Sequence, residues 1–300
     1  MVADAVVGEP PAALHPVAAF GALMGRVESV LYRDSRGAGV LHAAVGIGVG
    51  AGAGAALGST AGATCLAVAG RSLGAAAGAV GDALVAGDLD AARRLLPALV
   101  GRDVADLDAK AVARAVVESV AENTVDAVVA PAWWAAVAGA PGVLAHRALN
   151  TMDAMVGHRD ERYGRYGWAA ARLDDVAAFV PARLTALLVA AVRPGAARAV
   201  SHAVRTQAPA HPSPNAGVAE AAFAAALGLR LGGTDRYRGR SVVRPSLGTG
   251  RSPEAADIDR AVTLARHVGI ALAGVLAAAG TLRARGGRRV PAPATTARPS

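Results

Sequence analysis

Three hundred residues, 53% hydrophobic and only 18% charged, with 36 glycines and 3% aromatics, are more apolar and less charged than a typical soluble domain. That composition excludes disorder and argues against an ordinary soluble enzyme. The net charge is +8, yet Lys110 is the only lysine among 31 basic residues, so no GxxxxGK[ST] phosphate loop exists; Cys65 is the only cysteine, which excludes an internal disulfide and a CxxC site.

Residues 1–7 are too few for a signal peptide and lack its charged start. Residues 39–70 then run for 32 positions with His42 as the only ionisable side chain. Roughly 20 apolar residues suffice to cross about 30 Å of hydrocarbon. Nine glycines fall here, and Gly46, Gly50, Gly54, Gly58 and Gly62 recur at every fourth position, the small-residue stripe along which membrane helices pack closely. A low-complexity Ala/Gly tract would share that composition. Helices are predicted over 82–96 and 106–126. In the second, Val112, Val116, Val117, Val120 and Thr124 form one stripe at helical spacing. The other side carries Arg114, Glu118, Glu122 and Asp126, four apart, with Ser119 and Asn123 alongside. Carboxylates on successive turns repel by roughly a few tenths of a kcal/mol per pair, so cations must lie near. Two readings stay open: a solvated face, or a carboxylate/amide site where the helix enters the membrane. Asp126 at the lip of an apolar run favours the second, because acids at membrane depth are costly.

That run, 125–144, is apolar but for Asp126 and is interrupted by Pro131, Gly139 and Pro141. Residues 150–183 are the densest polar segment, with Arg172 and Asp175 on one helix face and Arg183 eight residues further on. An ion-pair network closing a loop and a phosphate grip with carboxylates holding a metal or an amine fit this pattern equally. Residues 176–192 are apolar except for Arg183. In His211-Pro-Ser-Pro-Asn215-Ala-Gly217 the prolines hold His211 and Ser213 extended, placing Ser213 as N-cap and Pro214 at the first position of a helix that includes 216–231. Such a helix start suits either a phosphate pocket with His211 and Asn215 or plain capping. Gly8-Glu9-Pro10-Pro11 and His15-Pro16 form a similar rigid loop. Residues 268–282 are uncharged, and 283–300 read as a basic, disordered tail suited to anionic lipid. Strand signals are almost absent. The fold expected is an all-α, polytopic helical integral membrane protein with interfacial polar loops and helices, in one domain over 1–282. Its spans fall near 39–70, 125–147, 176–193 and 262–282, and re-entrant helices are allowed.

The chain resembles the CobD/CbiB family, adenosylcobinamide-phosphate synthase. The resemblance rests on Gly8-Glu-Pro-Pro with His15-Pro-Val, and on Gly101-Arg-Asp followed by Glu118-Ser-Val-Ala-Glu122-Asn123-Thr-Val-Asp126. Further motifs are Ala130-Pro131, Asn150-Thr-Met-Asp153, Ala171-Arg-Leu-Asp174-Asp175, Pro181-Ala-Arg183-Leu and His211-Pro-Ser-Pro-Asn215-Ala-Gly217. No single motif is decisive; their order from Gly8 to about residue 250 is specific. The resemblance implies a multi-pass protein of the plasma membrane that joins a propionate carboxylate of adenosylcobyric acid to aminopropanol or its phosphate, with ATP as the energy source. The family usually has a full apolar helix ahead of Gly-Asp/Glu-Pro-Pro, whereas seven residues precede Gly8 here. Ala154, His158 and Ala178 stand where Ser, Tyr and Asn are expected, and no role is placed on them.

Condensing a carboxylate with an amine requires activation, as an acyl phosphate, with Mg²⁺ and arginines screening the charge between ATP and carboxylate. On the family's positions, Glu122, Asp126 and Asp153 are expected as Mg²⁺ ligands, and Arg172 and Arg183 as phosphate clamps. Asp174 or Asp175 orients the incoming ammonium and accepts its proton. His211, Ser213 and Asn215 bind the aminopropanol phosphate. Glu118 and Asn123 join the catalytic group, and Glu9, His15 and Asn150 the substrate-binding one. The expected partners are the corrinoid, the aminopropanol, the bilayer and other enzymes of the pathway. Nucleic acid is a poor partner, because stacking aromatics are nearly absent from the basic segments. The competing class is a non-catalytic scaffold or a transporter, but a transporter would carry its ionisable residues mid-span, often in repeated halves.

Overall fold

The computed structural model describes residues 16–158, 160–237 and 240–287. The helices in chain order are α1 (Pro16–Leu31), α2 (Arg36–Leu57), α3 (Thr60–Ala67), α4 (Gly70–Val85), α5 (Leu89–Leu95), α6 (Ala109–Thr124), α7 (Ala130–Val156), α8 (Trp168–Ala177), α9 (Phe179–Val192), α10 (Ala197–Thr206), α11 (Ala216–Leu227) and α12 (Ala255–Gly287). A π-helical turn, Val125–Val129, joins α6 to α7. The stretches Arg36–Leu57, Thr60–Val85, Ala109–Val156 and Ala255–Thr281 are long and apolar enough to cross a membrane, and the α8–α9 pair, bent by 42°, makes a fifth if it acts as one span. Leu187, Ile270 and Val275 project outward from these segments, as contact with lipid requires. The chain is a helical membrane protein, and its spans differ in detail from those expected.

The apolar run over 39–70 is two helices, not one. Gly58 adopts a left-handed conformation (φ 61°) that closes α2, and the Ser59 hydroxyl accepts the Gly62 N–H at 3.1 Å to start α3. Gly46, Gly50 and Gly54 do line the contact of α2 with α7. A Cβ at Gly50 would stand 2.6 Å from the Leu144 carbonyl oxygen, and one at Gly54 2.6 Å from Pro141 Cα. Gly58 and Gly62 lie outside this seam. The single helix predicted over 82–96 is also two: Gly87 turns the chain at φ 76°, and Asp88 caps α5 through the Ala91 N–H at 2.8 Å. The helix predicted to begin near 106 starts at Ala109, capped by Asp108, and runs on through the π turn into α7. The break signalled by Gly139 and Pro141 is a kink at Gly139 (φ 61°, ψ −154°) inside α7.

The largest core is built of Val, Ala and Leu from α4, α6, α9, α11 and α12. The predicted α6 stripe, Val112 to Thr124, is fully buried. Two strands, β1 (Leu231–Tyr237) and β2 (Arg240–Leu247), form an antiparallel hairpin with Thr234 opposite Val243, although strand signals are scarce. The helix read over 216–231 ends four residues early, at left-handed Gly228 (φ 67°), which frees Leu231 to begin β1. Leu231 and Leu247 then plug the hairpin base into the core, both fully buried. Residues 283–287 continue α12 rather than beginning a disordered tail.

Candidate active site

The dense segment 150–183 divides into two parts. Around the loop after α7, Arg162 lies 3.0 Å from Glu28 on α1 and stacks its guanidinium over the Tyr32 and Tyr163 rings, while Arg165 pairs with Asp34 at 3.7 Å. These arginines close the loop onto α1. The rest of the segment faces α6 and α11.

There, Asp126 sits on the π turn and accepts a hydrogen bond from Asn150 Nδ2 on α7 at 3.2 Å. The π turn inserts an extra residue after the regular α6 spacing, which re-aims Asp126 towards α7. Asp174 on α8 lies within electrostatic reach of Asp126, Asp153 and Asp175, and Glu122 within reach of Asp126. Oδ1 of Asp174 is buried without a hydrogen-bond partner. From the other side, Asn215 bridges two expected residues: its Nδ2 donates to the Asp175 carbonyl at 2.7 Å, and its Oδ1 accepts from Arg183 Nη1 at 2.7 Å. Arg183 also lies over the Phe179 ring. Arg172 stands 3.7 Å from Asp175 and is largely exposed. Ser213 caps α11 from outside the helix, not as its N-cap residue. Its hydroxyl accepts the Asn215 and Ala216 N–H groups at 3.3 and 3.2 Å, and the helix begins at Ala216 rather than Pro214.

A second, buried group adjoins the first through Glu122. Glu118 accepts from Arg102 Nη2 at 2.9 Å and from the Gly232 N–H at 2.8 Å, with Arg114 at 3.4 Å. Asp235 on β1 faces Arg102 at 2.7 Å, Arg114 at 3.1 Å and Arg244 at 3.2 Å. Arg102 and Arg114 thus supply the cations expected beside the α6 carboxylates, and Glu118 anchors the hairpin. Asn123 donates to the Ser119 carbonyl at 2.9 Å. Arg244 on β2 reaches His211 Nε2 at 3.0 Å and stands 4.0 Å from Glu122 and 3.9 Å from Glu220. His211, whose Nδ1 lies 3.1 Å from the Ser213 N–H, is held below the usual imidazole range by burial. Burial, reinforced by the charges of Glu122 and Glu118, raises the Glu220 carboxyl well above its ordinary range.

Glu9 and His15 lie outside the described residues. The sequence reading missed Glu220, Asp235 and Arg244. The usable signal for Glu220 was that it is the only ionisable residue of α11. Asp235 gave none, because Arg102 and Arg114 lie over a hundred positions away, and neither did Arg244, whose partners come from β1, α11 and the loop of His211.

Among the described residues no three His, Cys, Asp or Glu side chains are grouped closely enough to hold a metal ion. The donor set still suits Mg²⁺, a hard cation that commonly binds through one or two carboxylates plus water and substrate phosphates. Asp126, Asp153 and Asp174 offer only oxygens, and one of those, Asp174 Oδ1, is buried and unpartnered.

The fold and site define a polytopic helical membrane protein with carboxylates, arginines and amides gathered beside its spans. A profile of the CobD/Cbib protein family matches residues 1–265, and the chain belongs to that family of cobalamin-biosynthesis proteins. It is 49% identical to the cobalamin biosynthesis protein CobD of Mycobacterium tuberculosis (strain ATCC 25618 / H37Rv) over 278 residues, 88% of each chain. It is 43% identical to that of Stutzerimonas stutzeri over 276 residues, 88% of this chain and 90% of the relative. With that of Geobacter metallireducens the identity is 41% over 273 residues, 83% and 85% of the two chains. No solved structure matches.

Proposed function

We propose that the protein is a plasma-membrane ligase that joins aminopropanol or its phosphate to a propionate carboxylate of adenosylcobyric acid, using ATP and Mg²⁺. The observation that carries this reading is the meeting of Asp126, Asn150, Asp174 and the Asp175–Asn215–Arg183 chain from separate helices. Condensation of two charged partners calls for such a mixture. One or two of Asp126, Asp153 and Asp174 would hold Mg²⁺, with water and the substrate phosphates completing its shell and Glu122 beside them. Bound there, Mg²⁺ would screen the charge between nucleotide and propionate. Arg183, fixed by Asn215 and Phe179, presents its remaining N–H groups to a phosphoryl oxygen, and exposed Arg172 meets substrate at the rim. Asn150 orients Asp126. Asp175 and Ser213 contribute instead through a backbone carbonyl and a cap hydroxyl that set Asn215. The corrinoid, large and partly apolar, would lie at the interface beside the spans.

The test is to incubate membranes containing the full chain with adenosylcobyric acid, aminopropanol or its phosphate, and MgATP, and to follow the amide product by mass spectrometry. Product that disappears when ATP is omitted is the expected result. No product from a membrane-inserted chain would overturn the ligase reading and leave a scaffold for the corrinoid enzymes or a transporter of corrinoid intermediates.

A further inference from the structure

A cavity of about 230 Å³ lies where the ends of α9 and α11 meet α12. Arg193 after α9, Ala226 and Leu227 of α11, and Asp259, Arg260 and Thr263 from the first turns of α12 line it. A water molecule claims only about 30 Å³ of liquid, so a phosphate and a short amine fit. Arg260 belongs to the wall: it donates to Asp257 and, at 2.8 Å, to the Leu227 carbonyl. Arg193 is placed differently. It is half-buried, yet its contacts, the Val192 carbonyl at 3.4 Å and His267 Nδ1 at 3.5 Å, both use Nη1 and lie beyond the usual hydrogen-bond range. Its Nε and Nη2 have no partner among the described residues, and exposed Asp259 makes no ion pair among them. The cavity also lies at headgroup depth. The uncharged run of α12 starts at Val268, five residues beyond Thr263, or about 7.5 Å at 1.5 Å per residue. The apolar residues of α9 end at Val192, beside Arg193, and Leu187 and Ile270 of these two helices project outward. The polar layer of a bilayer is roughly 5–7 Å thick on each side of its hydrocarbon.

We propose that this cavity seats the headgroup of a phospholipid that carries a primary ammonium, as phosphatidylethanolamine does. The phosphate takes the Nε/Nη2 edge of Arg193, the geometry in which a guanidinium grips two phosphate oxygens, with the Thr263 hydroxyl beside it, and the ammonium reaches Asp259. Basic pockets between membrane helices are a recurrent place for phospholipid headgroups. A quaternary choline has no N–H to give Asp259, and a phosphoglycerol headgroup has no positive charge for it. A free phosphate ester of an amino alcohol shares the chemistry; the depth of the cavity favours the lipid. Occupied, the seat pins the ends of α9 and α11, the helices whose other ends bring Arg183 and Asn215 together.

The test uses the full chain in detergent, stripped of lipid, with native mass spectrometry following the binding of short-chain phosphatidylethanolamine, phosphatidylcholine and phosphatidylglycerol. Phosphatidylethanolamine should bind about fivefold tighter than phosphatidylcholine, the size of one good exposed ion pair. Asp259→Asn, a change at an exposed side chain, should remove that preference. Arg193→Gln should weaken all three lipids roughly tenfold, as the loss of a charge-assisted hydrogen bond does. Equal binding of the ethanolamine and choline lipids by the wild type overturns the proposal, as does a preference that survives Asp259→Asn or an affinity untouched by Arg193→Gln. Tighter binding of phosphatidylglycerol than of phosphatidylethanolamine overturns it in favour of a basic surface with no seat for the amine. Displacement of the lipid by equimolar free phosphoethanolamine overturns the lipid as occupant and leaves a seat for a soluble phosphate ester.

Discussion

Replacing Asp235 with alanine should release the hairpin from the bundle. Asp235 is 1% exposed and meets three guanidiniums, Arg102 at 2.7 Å, Arg114 at 3.1 Å and Arg244 at 3.2 Å. Arg102 and Arg114 keep Glu118 after the substitution, but Arg244 is left with His211 and two carboxylates at 3.9 Å or more. Removing one partner of a buried ionic group costs about 3–5 kcal/mol, because the remaining charges stay desolvated. At about 1.4 kcal/mol per decade that is roughly two to three and a half decades in the equilibrium for opening of the hairpin. The helices do not depend on these contacts, so the loss should be local. Amide hydrogen exchange over 231–247, together with tryptic cleavage after Arg236, reads that opening directly when reclosing is fast. Protection in the hairpin should fall by that factor while α2 and α7 remain unchanged. Pairing Asp235→Ala with Arg244→Met, which removes the cation that loses its closest carboxylate, should restore part of it. Unchanged protection in Asp235→Ala would refute the reasoning and assign the anchoring to Leu231, Leu247 and the contacts of Glu118 and Arg114 with Gly232.

Gly54→Val should destabilise the detergent-solubilised protein by about 1–3 kcal/mol or more through overpacking against α7, because its Cβ would stand 2.6 Å from Pro141 Cα. Gly52→Ala, with nothing within 4 Å, is the control, and equal melting temperatures for the two would count against close helix packing here. Glu122→Gln should abolish amide formation while leaving the protein in the membrane, as read by product analysis and membrane fractionation; normal turnover would remove Glu122 from the site. Asn215→Ala, which cuts the link between Asp175 and Arg183, should lower kcat/KM roughly tenfold, in keeping with one charge-assisted hydrogen bond, without changing the melting temperature by more than a few degrees. An unaltered kcat/KM would show that Arg183 needs no such orientation.

The membrane class, the buried stripe of α6 and the residues of the first polar group were legible because each depends on composition or on spacing within one helix. Asp126 stood out at the lip of an apolar run, Asn150 and Asp174 in the densest polar segment and Asn215 at a proline-set helix start, and the structure brings them together. The break after α2 was not legible. In an Ala/Gly tract, Gly54 serves close packing and Gly58 serves a left-handed cap, and the letter is the same for both. The hairpin escaped for a different reason: Leu231-Gly-Gly-Thr-Asp-Arg-Tyr lacks the alternation of a half-buried strand. What holds it is Asp235, whose partners Arg102 and Arg114 lie far away in sequence.

The position of the hairpin follows from the acids on α6 and α11. Glu118 and Glu220 are buried on helices that are otherwise almost wholly apolar on their inner faces, where an unpaired charge is costly. Those helices carry one arginine between them, Arg114. The remaining cations must come from elsewhere, and they come from Arg102 before α6 and Arg244 on β2. Arg244 is also the group that touches His211 and approaches Glu122, so the strand that neutralises the buried acids also borders the site. Any change that moves β2 therefore alters the electrostatics around Glu122 and Glu220 together. A hairpin variant such as Asp235→Ala should accordingly slow amide formation by membranes that contain it, through the shift of Arg244. Undiminished amide formation alongside an opened hairpin would separate the two groups that Arg244 joins.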